Sequence, residues 1–205
     1  MKSCIICFVM FIAFSFAQNK TKGMGMEQKF ETATLGGGCF WCTEAIYQQL
    51  NGVIKVESGY SGGTVSNPSY EEVCTGRTNH AEVIQVTFNP AVLSYKELLN
   101  VFFHMHDPTT LNRQGADVGT QYRSVIFYRS EEQKKAAYDV IKEVASAKVW
   151  DDPIVTEVTP FSNFYKAENY HQNYYNEHSN QPYCRMVINP KLSKFRREFS
   201  SKLKK

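Results

Sequence analysis

Residues 30–52 read FETATLGGGCFWCTEAIYQQLNG. Phe30–Leu35 has the composition of a strand, Gly36-Gly37-Gly38 turns the chain, and a helix is expected from about Cys39 to Leu50, stopped by Asn51-Gly52. A strand that runs through glycines into a helix sets Cys39 at a helix N-terminus, where partial positive charge stabilises a thiolate. Three glycines also let backbone N–H groups approach a substrate closely. A phosphate loop would need Gly-Lys-Ser/Thr next, and Phe40-Trp41 would obstruct a phosphate. Two aromatics beside a thiol instead suggest a pocket for something small and apolar. The competing view of Cys39 is a buried structural cysteine, the common fate of a free thiol. It leaves three successive glycines unexplained.

Further along, Val53–Tyr60 reads as a second strand, followed by the turn-rich stretch Gly59–Pro68 and a short helical piece over Ser69–Cys74. Ala81–Phe88 is a strand ended by Asn89-Pro90. Ser94-Tyr95-Lys96-Glu97 is a capping box that opens a helix to about His106. Tyr122–Tyr128 is the next strand, and Ser130-Glu131-Glu132-Gln133 a second capping box. In that helix Ala137, Val140, Ile141 and Val144 share one apolar face. Ile154–Thr159 is a last short strand. The order β-α-β-β-α-β with added helices and loops predicts an α+β two-layer sandwich with a ferredoxin-like core. No repeat or internal linker divides it, so residues 30–205 form one domain. Lys191–Lys205 carries seven Lys or Arg against one Glu, with Leu192, Phe195, Phe199 and Leu203 at helical spacing. A basic amphipathic helix can bind membranes. The favoured alternative is a terminal helix docked on the core with a solvated basic face.

The chain has 205 residues, of which 42% are hydrophobic and 21% charged, enough apolar content for a real core and too much for a disordered chain. A net charge of +3 is too small to argue for nucleic acid. The tyrosines and histidines between Tyr165 and Tyr183 lack an interleaved basic patch, so packing near the active site is preferred to a base-stacking platform. No apolar run reaches the length of a membrane span. Lys2 precedes an apolar run, Ile5–Ala17, which gives way to Gln18-Asn19-Lys20, the pattern of a secretory signal peptide over residues 1–17. Cleavage there leaves 188 residues, of which 18–29 read as a flexible leader. The expected location is exported: periplasm or cell envelope in a bacterium, the secretory route otherwise. No stable membrane insertion is expected after cleavage.

Cys4 and Cys7 fall in the signal, leaving Cys39, Cys42, Cys74 and Cys184. Four cysteines in a domain of this size are not a disulfide scaffold. Cys39 and Cys42 form a C-x-x-C pair on one helix face, compatible with a disulfide or with half a zinc site. The second half of such a zinc site is missing, so no metal is expected. Glu82 lies on the strand Ala81–Phe88, on the side of Ile84, Val86 and Phe88. A carboxyl entering apolar surroundings has its pKa raised and can serve as a general acid. Pattern alone leaves open whether this side chain enters the core or escapes to water at the strand end. Tyr70, Asp117 in the Gly-rich loop Gln114–Thr120, and Tyr122 are weaker candidates.

Gly37-Gly38-Cys39-Phe40-Trp41, with Gly59-Tyr60-Ser61-Gly62-Gly63, Asn67-Pro68-Ser69-Tyr70, His80-Ala81-Glu82, His106-Asp107-Pro108-Thr109 and Gly119-Thr120-Gln121-Tyr122-Arg123-Ser124, resembles the A-type peptide methionine sulfoxide reductases. The likeness runs from about Leu35 to Val187 with the motifs in the family's order. It implies that Cys39 attacks the sulfur of methionine-S-sulfoxide, free or in a protein, and that Phe40 and Trp41 hold the substrate methyl. Glu82 would protonate the sulfoxide oxygen, Tyr70 and Tyr122 would hydrogen-bond it, and Asp117 would support the site. Cys39 is left as a sulfenic acid. A second thiol then captures it, and a dithiol such as thioredoxin reduces the disulfide; no bound cofactor is implied. Cys184 matches the family's C-terminal resolving cysteine and Cys42 a variant with the resolver inside Cys-Phe-Trp-Cys. Cys184 is taken as the first resolver, and Cys74 as a packed structural cysteine. A monomer acting on oxidised proteins in the exported space is the leading expectation. A general thiol-disulfide oxidoreductase using Cys39-Cys42 and a zinc or redox-sensing module are the rivals.

Overall fold

In strand β3 (Ala81–Phe88) alternate residues part to two faces. Ile84, Val86 and Phe88 join the main core, whereas Ala81 and Val83 join Val125 and Phe127 in a smaller cluster under Phe161 and Phe164. Glu82 follows the first set and is buried. The computed structural model describes residues 29–205. The expected signal peptide and nearly all of the expected leader lie outside the described residues.

In chain order β1 (Glu31–Gly37), α1 (Phe40–Tyr47), β2 (Val53–Ser61) and α2 (Tyr70–Cys74) precede β3, which is followed by α3 (Tyr95–Met105). A small hairpin, β4 (Arg113–Gln114) and β5 (Asp117–Val118), leads through a 3-10 turn at Thr120–Tyr122 into β6 (Ser124–Tyr128). Then come α4 (Glu131–Ser146), β7 (Glu157–Pro160), β8 (Tyr165–Lys166), α5 (Tyr174–His178), a π-helical turn at Cys184–Ile188 and α6 (Asn189–Glu198). The main sheet runs β7-β6-β1-β3-β2-β8. Its four central strands are antiparallel and have the order of a ferredoxin-like core; β7 adds parallel to β6 at one edge and β8 antiparallel to β2 at the other. The expected α+β architecture is therefore present, extended at both edges.

Both Ser69 and Ser94 close full capping boxes. At Ser130 only half forms: its hydroxyl accepts the Gln133 N–H, while the Gln133 side chain turns to Arg129 N–H and the Thr32 carbonyl. Strand Tyr122–Tyr128 begins two residues late, because Arg123 donates to the Thr120 and Asn79 carbonyls and holds the chain in a turn. Strand Ile154–Thr159 also starts late; the Val155 N–H is spent on the Pro108 carbonyl, outside the sheet. The first helix stops at Tyr47 rather than Leu50, and Leu50 instead bridges to Leu203. α6 docks on the core through Leu192 and Phe195, each burial contributing roughly 1.5–3 kcal/mol. Among the described residues no helix is long and apolar enough to cross a membrane.

Candidate active site

The glycine turn between β1 and α1 is shaped mainly by packing. A Cβ on Gly36 would meet Val125 Cγ1 at 2.8 Å, and Gly38 has φ +86° with the Gln114 side chain 2.5 Å from where its Cβ would be. Close approach of the sheet and of the β4 strand thus accounts for these two glycines, where the sequence suggested approach to a substrate. Beneath Gly37 sits His106, fully buried: Nδ1 donates to the Phe102 carbonyl at 2.6 Å and Nε2 accepts from the Ser124 hydroxyl at 2.7 Å. Burial holds this imidazole down to about 4, so it is neutral.

Cys39 is the N-cap of α1, as its place after the glycines implied. One residue on, the Phe40 backbone N–H donates to Glu82 Oε2 at 3.1 Å, so the core-facing carboxyl meets the helix start at the nucleophile. Burial pushes Glu82 up to about 8, with the Phe40 N–H opposing and Asp117 and Cys42 reinforcing. Burial raises the Cys39 thiol too, and its neighbours Cys42 and Glu82 add to that rise. Near neutral pH these shifts favour a protonated carboxyl at Glu82 beside a protonated Cys39 thiol. Tyr70, at the start of α2, and Tyr122, at the end of the 3-10 turn, are half-buried near Glu82. Burial pushes both phenols above the ordinary tyrosine range, followed by the Cys74 thiol and then Glu82 at Tyr70, and by Glu82 at Tyr122, so both hydroxyls stay protonated. Tyr122 does not open a strand as expected, yet it reaches the site.

Phe40 is buried and Trp41 half-buried. The Trp41 indole N–H donates to His171 Nδ1 at 3.1 Å, and the indole stacks on Tyr174 at 3.6 Å and 5°. Tyr183 packs edge-on against Trp41, donates to Asp117 Oδ2 at 3.0 Å, and has its oxygen 3.8 Å from Cys42 Sγ. Asp117 thus supports the site through Tyr183. Glu168 ties the rear of the site, accepting from the Tyr60 hydroxyl and the Tyr70 N–H, both at 2.9 Å. Sequence reasoning did not single out His171, Tyr174, Tyr183 or Glu168 individually. The aromatic density between Tyr165 and Tyr183 was the available signal.

All four described cysteines are reduced. Hydrogen bonding to Cys39 lowers the Cys42 thiol to about 7 against the effect of burial. Cys184 is fully buried beyond Cys42, at the start of the π-helical turn. The thiol that faces Cys39 is accordingly that of Cys42. Cys74 is exposed, not packed: it closes the five-residue helix α2, in which only Val73 is buried.

Three O–H donors around one thiol, walled by aromatic rings, suit the removal of an oxygen acceptor from a substrate with an apolar end; the class is a thiol-based oxidoreductase. The family model described as peptide methionine sulfoxide reductase matches residues 31–203. A peptide methionine sulfoxide reductase MsrA of Saccharolobus solfataricus is 58% identical over 174 residues, covering 85% of this chain and 97% of that protein. The reduced form of Mxr1 from Saccharomyces cerevisiae superposes with a TM-score of 0.70 at 39% identity, over 76% of this chain and 90% of that one. Mxr1 in complex with Trx2 matches with a TM-score of 0.50 at 30% identity, over 71% and 85%. The chain belongs to the peptide methionine sulfoxide reductase family, in its A type.

Proposed function

We propose that the protein reduces methionine-S-sulfoxide, free or in polypeptides, to methionine, with Cys39 as nucleophile and Glu82 as general acid. The observation that carries this is Glu82, buried and held at 3.1 Å to the backbone beside Cys39, where burial pushes its carboxyl up to about 8. Phe40 and Trp41 take the apolar methyl. Tyr70 and Tyr122 donate to the sulfoxide oxygen while Glu82 protonates it, which makes the sulfur electrophilic and the oxygen a better leaving group. Cys39 sulfur attacks as its thiol proton passes to the Glu82 carboxylate, the oxygen with Glu82's proton ends on Cys39 as a sulfenic acid, and methionine leaves.

Cys42, facing Cys39, then displaces water to form the Cys39–Cys42 disulfide. Cys184 exchanges into it, freeing Cys39 and leaving Cys42–Cys184 for an external dithiol. This reverses the order expected from sequence, where Cys184 came first; the support is that Cys42 is the thiol neighbour of both Cys39 and Cys184. A thioredoxin-like protein is the proposed reductant, in keeping with the solved complex of Mxr1 with Trx2. The signal-like N-terminus supports repair of exported proteins as the setting.

The test is turnover of separated S and R epimers of a blocked methionine sulfoxide with dithiothreitol, using Cys39→Ser as control. Selective consumption of the S epimer that vanishes in Cys39→Ser is expected. A folded protein that turns over neither epimer has been put to another use.

A further inference from the structure

Glu44 lies one turn beyond Trp41 on α1, and nothing in the reaction above uses it. It is nevertheless 1% exposed, deep enough that a carboxyl must find partners or destabilise the fold. Its Oε1 accepts the backbone N–H of Asn173 at 3.0 Å. The same carboxyl faces the Tyr174 N–H and the Ser58 hydroxyl, a buried group that makes no hydrogen bond elsewhere. Asn173 has φ +55°, a left-handed residue at the sharp bend between the 3-10 turn Asn169–His171 and α5.

The bend matters because of what stands on either side of it. His171 takes the Trp41 indole N–H, and Tyr174 stacks on the same indole. Gln172, between them, is pinned to β2 by bonds to both Ser58 backbone groups. One buried acid on the nucleophile's own helix thus ties down the bend that carries both groups holding the Trp41 wall. Downstream, the same segment leads to Tyr183 and Cys184.

We propose that Glu44 is a positioning residue: by seating the 171–174 bend against α1 it fixes the Trp41 ring, and with it the apolar wall of the substrate site. It acts through His171 and Tyr174 and touches no substrate. The assignment of that wall to substrate rests on the function proposed above; the seating of Trp41 does not.

The sequence has two tryptophans, Trp41 and Trp150, and Trp150 donates its indole N–H to the Phe103 carbonyl away from the bend. In the ¹⁵N-labelled full chain the two indole N–H signals, assigned with Trp41→Phe, read the two places separately. Glu44→Met keeps the volume and removes the acceptor; Glu44→Gln keeps an acceptor. In Glu44→Met the Trp41 signal should shift or broaden while Trp150 stays, with KM for the sulfoxide up about tenfold, the size of one lost hydrogen bond, and kcat little changed. Glu44→Gln should restore the signal and most of the KM. An unmoved Trp41 signal and KM in Glu44→Met would overturn the proposal, as would equal loss of both signals, which would make Glu44 a support of the whole core. Failure of Glu44→Gln to restore the Trp41 signal would overturn it as well. A moved Trp41 signal in an enzyme that turns over no sulfoxide would uphold the seating and sink only the proposed reaction.

Discussion

The Phe40 N–H and the Glu82 carboxyl group are joined at 3.1 Å across 42 residues of sequence, which puts the acid of β3 at the first turn of the helix capped by Cys39. That bond leaves the second carboxyl oxygen of Glu82 available to carry the proton that burial retains to about pH 8. Glu82→Gln keeps the shape and cannot deliver that proton. The single-turnover rate of sulfoxide reduction should fall by roughly 10²–10⁴-fold in the variant. In the wild type the rate should fall as pH rises through about 8, and this limb should be missing in Glu82→Gln. Rapid-quench kinetics from pH 6 to 9 decide it. A variant with the wild-type rate would mean that Glu82 is not the general acid of the reaction and that another donor protonates the sulfoxide oxygen.

The same raised pKa has a consequence for stability with a definite sign. A carboxyl held above its unfolded value of 4.5 contributes stability below that pH and loses it as pH rises toward about 8. Glu82→Gln should therefore be at least as stable as wild type at pH 8.5 in urea denaturation, despite its lost activity. Marked destabilisation there would mean that Glu82 is a structural acid.

The thiols predict an order. After one turnover of substrate without reductant, Cys184→Ser should still form Cys39–Cys42 at the wild-type rate and then stall. Cys42→Ser should accumulate the Cys39 sulfenic acid, trapped by dimedone, because Cys184 lies beyond Cys42 and is fully buried. Disulfide mapping by mass spectrometry reads both. Rapid Cys39–Cys184 formation in Cys42→Ser would restore the order expected from sequence.

What could be read from sequence followed from local periodicity. Alternation in Ala81–Phe88 placed Glu82 on the core face, and Gly-Gly-Gly placed Cys39 at a helix start, because both depend only on neighbours in the chain. Whether Glu82 stayed inside was undecidable there, since the deciding partner, the Phe40 N–H, is 42 residues away. The C-terminal wall was illegible for the same reason. Nothing in the order Tyr170-His171-Gln172-Asn173-Tyr174 says that two of these residues hold Trp41, which lies 130 residues from His171. Cys74 misled because free cysteine is commonly buried, whereas a five-residue helix has room to bury only Val73.

His106 offers a pH test of the packing under the glycine turn. Its imidazole is held near 4 by burial, against 6.5 when free, so the stability it contributes is complete above pH 6.5 and is lost as pH falls toward 4. The total is about 3 kcal/mol. Glu82 and Glu44, raised to about 8 and about 7, titrate in the opposite sense, which would hide the effect in the wild type alone. His106→Gln isolates it: the amide can still donate to the Phe102 carbonyl and accept from Ser124, and it does not titrate. The stability difference between wild type and variant, from urea unfolding with a phosphine reductant present, should shift by about 3 kcal/mol in the variant's favour between pH 7.5 and 4. A difference that stays constant over that range would mean that His106 takes up its proton without leaving the fold, and that the site beneath Gly37 is open to water.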